Sequence, residues 1–134
     1  MTGLVIKLAP RERVLINGAV VENGDRRSRI NILTQNAKVL RLRDAIHPDR
    51  ANTPVSRLCY TLQLVLIGEA AADETRHRAV VAIEELSRIF TDTDSRKLLS
   101  EATTTLSEGN FYRCLKCLRN LLPREARLLA MGTA

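Results

Sequence analysis

Apolar and polar positions follow two different periods along this chain, and the change falls near Pro54. Before it, short apolar runs are broken by turn residues. Leu4–Leu8 reads as a strand closed by Pro10, and Pro10-Arg11-Glu12 as a turn. Arg13–Ile16, Ala19–Glu22, 26–33 and 37–42 read as further strands, joined at Asn17-Gly18, Asn23-Gly24-Asp25 and Thr34-Gln35-Asn36. Asn-Gly is a strong hairpin signal, because a two-residue type I′ turn needs positive φ at both central positions. Connections this short imply antiparallel neighbours, since parallel strands need long crossovers.

Period 2 sorts the strand faces. Ile30 and Ile32 share one side of the fourth strand, with Arg27, Arg29 and Asn31 on the other. In the fifth strand Leu40 and Leu42 face one way, and Val39, Arg41 and Arg43 the other. The pattern predicts exposed arginines on the polar sides of both strands. A sheet this small needs something to pack against, either the rest of the chain or a second copy.

After a connector holding His47-Pro48, the spacing turns helical. Thr53-Pro54 offers an N-cap with Pro at the first helical position, opening a helix over 55–67 that ends at Gly68. A second helix spans 73–90, with Ala79, Val80, Ile83, Leu86, Ile89 and Phe90 as its apolar stripe. A third is capped by Thr93 or Asp94 and carries Leu98, Leu99, Ala102 and Leu106. A fourth covers 110–122 with Phe111, Leu115, Leu118 and Leu122 inward, and Pro123 sets off a last short helix over 124–130. Strands followed by helices mean an α+β fold. The predicted division is a β subdomain over 1–46, a connector over 47–54 and a helical subdomain over 55–134.

Charge changes the picture more than composition does. The chain has 134 residues and a net charge of +6. Residues 1–53 hold ten Lys/Arg and five acids, whereas 54–134 hold eleven and ten. The excess belongs to the strand half, and it favours a polyanionic partner, nucleic acid ahead of a membrane surface. No apolar run is long enough to span a bilayer and no signal-peptide pattern opens the chain, so a cytoplasmic protein is expected. The three cysteines suggest no disulfide framework, consistent with that setting. Residues 1–59 lack Phe, Tyr and Trp. An RNA-binding sheet here must therefore use Arg, Lys and backbone groups rather than the usual stacked aromatics.

Candidate chemistry is sparse. Cys114 and Cys117 have a metal or redox spacing, yet they sit in an amphipathic helix where Cys is an ordinary small apolar residue. His77 lies between two arginines, and His47 has no acid or nucleophile near it in sequence. Adjacent Glu84 and Glu85 cannot face each other on a helix. No phosphate-binding, nucleophile-elbow or metalloprotease motif is present. A non-enzymatic protein without metal or cofactor is expected.

The stretch Arg13-Val-Leu-Ile-Asn-Gly-Ala-Val-Val-Glu-Asn-Gly-Asp-Arg-Arg27, with Ala51-Asn-Thr-Pro54 and the helix after it, resembles the FlbT family of flagellin post-transcriptional regulators. The resemblance runs through the helical half. It implies a repressor that acts at the 5′ untranslated region of flagellin mRNA and lowers its translation or lifetime. The first forty-odd residues are also similar to the CsrA family of five-stranded mRNA-binding dimers. The correspondence lies in Glu12-Arg-Val-Leu-Ile16 and Arg41-Leu-Arg-Asp-Ala-Ile46, with Arg11 where that family has glycine. This second likeness implies a five-stranded antiparallel meander and a homodimer in which the first strand lies beside the partner's fifth. It places an RNA contact on Arg43 and a basic first-strand position near Lys7.

Together these readings make Lys7, Arg26, Arg27, Arg29, Arg41 and Arg43 the expected RNA-binding residues, with the flagellin mRNA leader as partner. The alternative is an adaptor that binds flagellin or a small flagellar regulatory protein, using a helical groove with Leu98, Leu106 or Leu118 partly exposed.

Overall fold

The computed structural model describes residues 3–132. Five strands come first: β1 (Leu4–Leu8), β2 (Arg13–Ile16), β3 (Ala19–Glu22), β4 (Ser28–Ile32) and β5 (Val39–Arg41). Two 3-10 turns, Leu42–Asp44 and Pro48–Arg50, lead into α1 (Pro54–Leu66), α2 (Ala72–Ile89), α3 (Thr93–Ser107), α4 (Phe111–Arg119) and α5 (Leu122–Gly132). The α+β order is the expected one.

The strands do not form a single meander. They make two antiparallel sheets, β1-β4 and β3-β2-β5. The Asn17-Gly18 turn behaves as predicted, with φ of 50° and 84° closing the β2–β3 hairpin. The Asn23-Gly24 turn does not, and neither residue adopts positive φ. Asn23 is held by the first turn instead. Its N–H donates to the Glu12 carbonyl at 2.8 Å, and its side-chain amide donates to the Ala9 carbonyl at 2.7 Å and the Arg26 carbonyl at 2.9 Å. This extends the chain beyond β3, so β4 crosses to pair with β1. The CsrA likeness set β1 beside the partner's β5, whereas here β1 pairs with β4 and β5 with β2, both within one chain.

Period 2 explains why β5 lies between two cores. In β2 and β5, Leu15 stands opposite Leu40, and both face the helices. Val14, Ile16 and Val39 point the other way, onto Ile6 and Leu8 of β1. Val39 and Leu40 are thus buried on opposite faces of one strand. Tyr112 of α4 also packs on the sheet core. Around the second core, Leu58, Leu62, Ile83, Leu99, Leu106, Leu115 and Leu118 come from successive helices. Leu106 and Leu118, expected to be partly exposed in an adaptor groove, are fully buried. Ile89 lies outside the stripe assigned to it, 54% exposed, while Phe90 is buried at 1%.

The Ala51-Asn-Thr-Pro54 stretch earns its shape as a helix start. Thr53 and Ser56 form a reciprocal capping box, and Pro54 occupies the first turn. Buried Glu125 of α5 completes the cap, accepting from Thr53 Oγ1 and from the Val55 N–H at 2.8 Å. Two contacts then fix the stretch leading into the connector. The Gln63 side chain accepts from the Ile46 N–H at 2.7 Å and donates to its carbonyl at 3.0 Å. Arg119 donates to the Asp44 carbonyl at 2.7 Å.

Candidate nucleic-acid interface

The site is built from the turn that follows β1. Pro10 and Arg11 occupy its centre, the Glu12 N–H returns to the Ala9 carbonyl at 3.1 Å, and Arg11 has φ of 62°. Positive φ at the third turn residue is a type II geometry that favours glycine. The turn aims Glu12 inward, where its side chain is only 6% exposed. Arg41 meets it on the Val39 face of β5. The Arg41 Nε donates to Glu12 Oε2 at 2.6 Å and Nη2 donates to Oε1 at 2.7 Å, a bidentate pair. The same Nη2 also donates to the Lys7 carbonyl at 2.6 Å. Arg43 stands 3.6 Å from Glu12, its own side chain 57% exposed.

The Arg41 hydrogen bonds hold the Glu12 carboxyl down to about 2, against the opposing effect of burial. The Ala9 N–H and the charges of Arg41 and Arg43 add to the lowering. Glu12 correspondingly raises Arg41. Arg41 is therefore a buried structural cation, not the exposed contact that strand alternation suggested. The physical reason is Glu12, which lies far off in sequence and satisfies the guanidinium where an apolar core ends.

Around this pair runs a groove of about 2070 Å³ between the β1–β4 sheet and helices α3 and α4. That is about twice the upper size of an ordinary small-molecule pocket. Its lining carries nine basic residues against two acids, Glu101 and Glu108. With Arg41 neutralised by Glu12, the lining nets +6, as much as the whole chain, so the surplus positive charge is concentrated here.

Four sequence-predicted residues border this groove and are exposed: Lys7, Arg27, Arg29 and Arg43. Arg41 lies beneath them, and Arg26 is exposed but outside the lining. The β1–β4 register sets Lys7 directly opposite Arg29. Like charges so placed repel, and neither makes an ion pair among the described residues. Sequence reasoning missed Lys38 on the sheet side and Arg76, Arg113 and Lys116 on the helical side. The three-residue spacing of Arg113 and Lys116, opposite an apolar stripe, did signal a basic helix face. It could not say that this face meets the arginine-bearing strands.

Of the three cysteines only Cys117 borders the groove. Cys59 and Cys114 are fully buried in the helical core, and burial pushes both thiols up to about 12. Burial also raises half-buried Cys117. Among the described residues, no group of three or more His, Cys, Asp or Glu could hold a metal ion, and no helix is long and apolar enough to cross a membrane.

Fold and site together define a class: a small α+β protein whose strand and helical layers enclose a basic groove of a size and charge suited to a polyanion. Comparison with known proteins makes the assignment specific. The family model described as "Flagellar protein FlbT" matches residues 4–129, and this chain belongs to that family. It is 32% identical over 126 residues to the probable flagellum biosynthesis repressor protein FlbT of Mesorhizobium japonicum, covering 94% of this chain and 84% of that protein. It is 32% identical to the probable flagellum biosynthesis repressor protein FlbT 1 of Bradyrhizobium diazoefficiens, covering 93% and 84%. The flagellum biosynthesis repressor protein FlbT of Caulobacter vibrioides is 26% identical over 122 residues, covering 91% and 86%. No solved structure matches the chain significantly.

Proposed function

We propose that this protein represses flagellar synthesis after transcription, by binding single-stranded RNA in the 5′ untranslated region of flagellin mRNA. Covering a ribosome-binding site would block initiation, or shorten the message's life, without any catalytic step. The relatives' names support the repressor role in flagellar synthesis. The flagellin leader as target comes from the family likeness read in the sequence.

The observation that carries the RNA reading is the facing pair Lys7 and Arg29, without an acid partner among the described residues and bordering a groove of net +6 once Arg41 is offset by Glu12. Two cations held opposite each other weaken a sheet unless an anion settles between them. RNA phosphates supply that anion, and exposed base edges in a loop supply acceptors for Arg27 and Arg43.

The test is a Lys7→Ala/Arg29→Ala double variant, assayed for binding to a flagellin leader RNA and for reporter repression in cells. Both should fall while the melting temperature holds or rises. Unchanged affinity in a folded double variant would remove the sheet wall from the site. The adaptor reading retains one supporting observation, the exposed Leu128, Leu129 and Met131 of α5.

A further inference from the structure

The groove has a helical wall as well as a strand wall. Arg113 and Lys116 project from α4, three residues apart and therefore on one face. Its opposite face is fixed by Phe111, Cys114, Leu115 and Leu118, all buried in the helical core. The two cations are thus presented by a clamped helix. Both are exposed, and neither makes an ion pair among the described residues.

Arg76 of α2 reaches the same wall near Gly109, at the turn before α4. It carries the one buried side-chain polar atom found without a hydrogen-bond partner among the described residues, its Nε. Its Nη2 is 3.8 Å from the exposed Asp73 carboxylate. A buried donor lacking an acceptor is costly, and among the described residues the Arg76 charge is offset only by that 3.8 Å contact with Asp73. Glu101 and Glu108 share this wall. Glu101 already accepts from the Cys117 thiol at 3.6 Å, and the wall stays net positive with both acids counted.

We propose that the exposed face of α4, with Arg76 beside its N-terminal end, is a second RNA-contacting wall that binds phosphates without reading bases. The proposal rests on the RNA reading given above. Phosphate contact, rather than base stacking, follows from the aromatics available there. Phe111 is buried in the helical core, and the Tyr112 ring packs on the sheet core beside Arg41. Neither offers a free platform for a base. An RNA strand in the groove would then be gripped from both sides, with sequence discrimination confined to the strand side.

The test uses the full chain and two RNAs of equal length, a flagellin leader segment and an oligouridine. Binding is measured by fluorescence anisotropy over a salt series for wild type, Arg113→Ala/Lys116→Ala and Lys7→Ala/Arg29→Ala. Circular dichroism melts check that each variant folds. Each phosphate contact with a single strand contributes about 0.7 to the salt slope, so the α4 double variant should lower the slope by about 1.4. Its affinity should drop about tenfold near physiological salt, equally for both RNAs. If the α4 variant keeps wild-type affinity and slope while the strand variant loses both, the second wall is refuted and the RNA reading survives. If wild type binds neither RNA, the reading beneath the proposal fails, and the proposal with it. An α4 effect confined to the leader RNA would also overturn it, by showing base readout from that wall.

Discussion

Arg41→Ala separates a structural cation from a binding one. The substitution leaves the Glu12 carboxylate, 6% exposed, with the Ala9 N–H at 2.9 Å and Arg43 at 3.6 Å as its remaining partners. It also deprives the Lys7 carbonyl of its guanidinium donor. A carboxyl held at about 2 instead of 4.5 contributes about 3 kcal/mol to stability at neutral pH. Losing one partner of a buried pair independently costs about 3–5 kcal/mol. We take the lower end, about 3 kcal/mol, because the pair lies at the edge of the sheet core. In a chain of this length that lowers the Tm by about 10 °C.

The sign of the pH dependence follows from the depressed carboxyl. The unfolded chain binds the Glu12 proton more readily, so the stabilisation is full above pH 4.5 and is lost as pH falls towards about 2. Melts of wild type and Arg41→Ala should therefore differ most near neutrality and converge in acid. Removing both partners, as in Glu12→Gln/Arg41→Met, should cost less than Arg41→Ala alone, because no charge is left stranded. An Arg41→Ala protein melting within about 2 °C of wild type at neutral pH, yet failing to bind RNA, would refute this reasoning.

Other consequences are open to the same methods. Lys7→Ala/Arg29→Ala should raise stability by about 0.2–1 kcal/mol in urea unfolding, because like charges opposite each other in an antiparallel pair repel. Arg11→Gly should stabilise by about 0.5–1 kcal/mol, since φ of 62° strains a residue with a Cβ and the gain is reduced by glycine's extra freedom when unfolded. A melting temperature below wild type would contradict that. Glu125→Ala should destabilise by about 2 kcal/mol, because the Thr53 hydroxyl and Val55 N–H at the start of α1 lose a charged acceptor. Thr53→Ala should cost about 1 kcal/mol, as for an ordinary N-cap.

Much of the fold was legible where local chemistry decides it. The Asn17-Gly18 hairpin, the Thr53-Pro54 helix start and most of the apolar stripes of α3 and α4 are set by neighbouring residues, and the structure keeps them, except that the fourth helix stops at Arg119 and Leu122 opens α5. The failures share another cause. The Asn23-Gly24 pair looks like a hairpin until Asn23 is captured by Glu12 and Ala9. Alternation put Arg41 on a polar face, but that face of β5 packs on β1, and only a remote carboxylate makes the burial tolerable. Half of the candidate site was readable because Lys7 and Arg29 lie on β1 and β4, with Arg27 just before β4 and Arg43 in the 3-10 turn just after β5 rather than in the strands that alternation assigned them. The α4 wall was not, because its place opposite them depends on how two layers pack.

RNA binding by the groove is tested most directly by the affinity of the intact, folded protein for a flagellin leader RNA across a salt series. The four exposed sheet-side cations that sequence and groove share, Lys7, Arg27, Arg29 and Arg43, predict a log–log salt slope of about −3, steeper if α4 also takes part. Tight binding with that slope is the expected result. A well-folded protein that shows no binding, or binding indifferent to salt, would contradict the account.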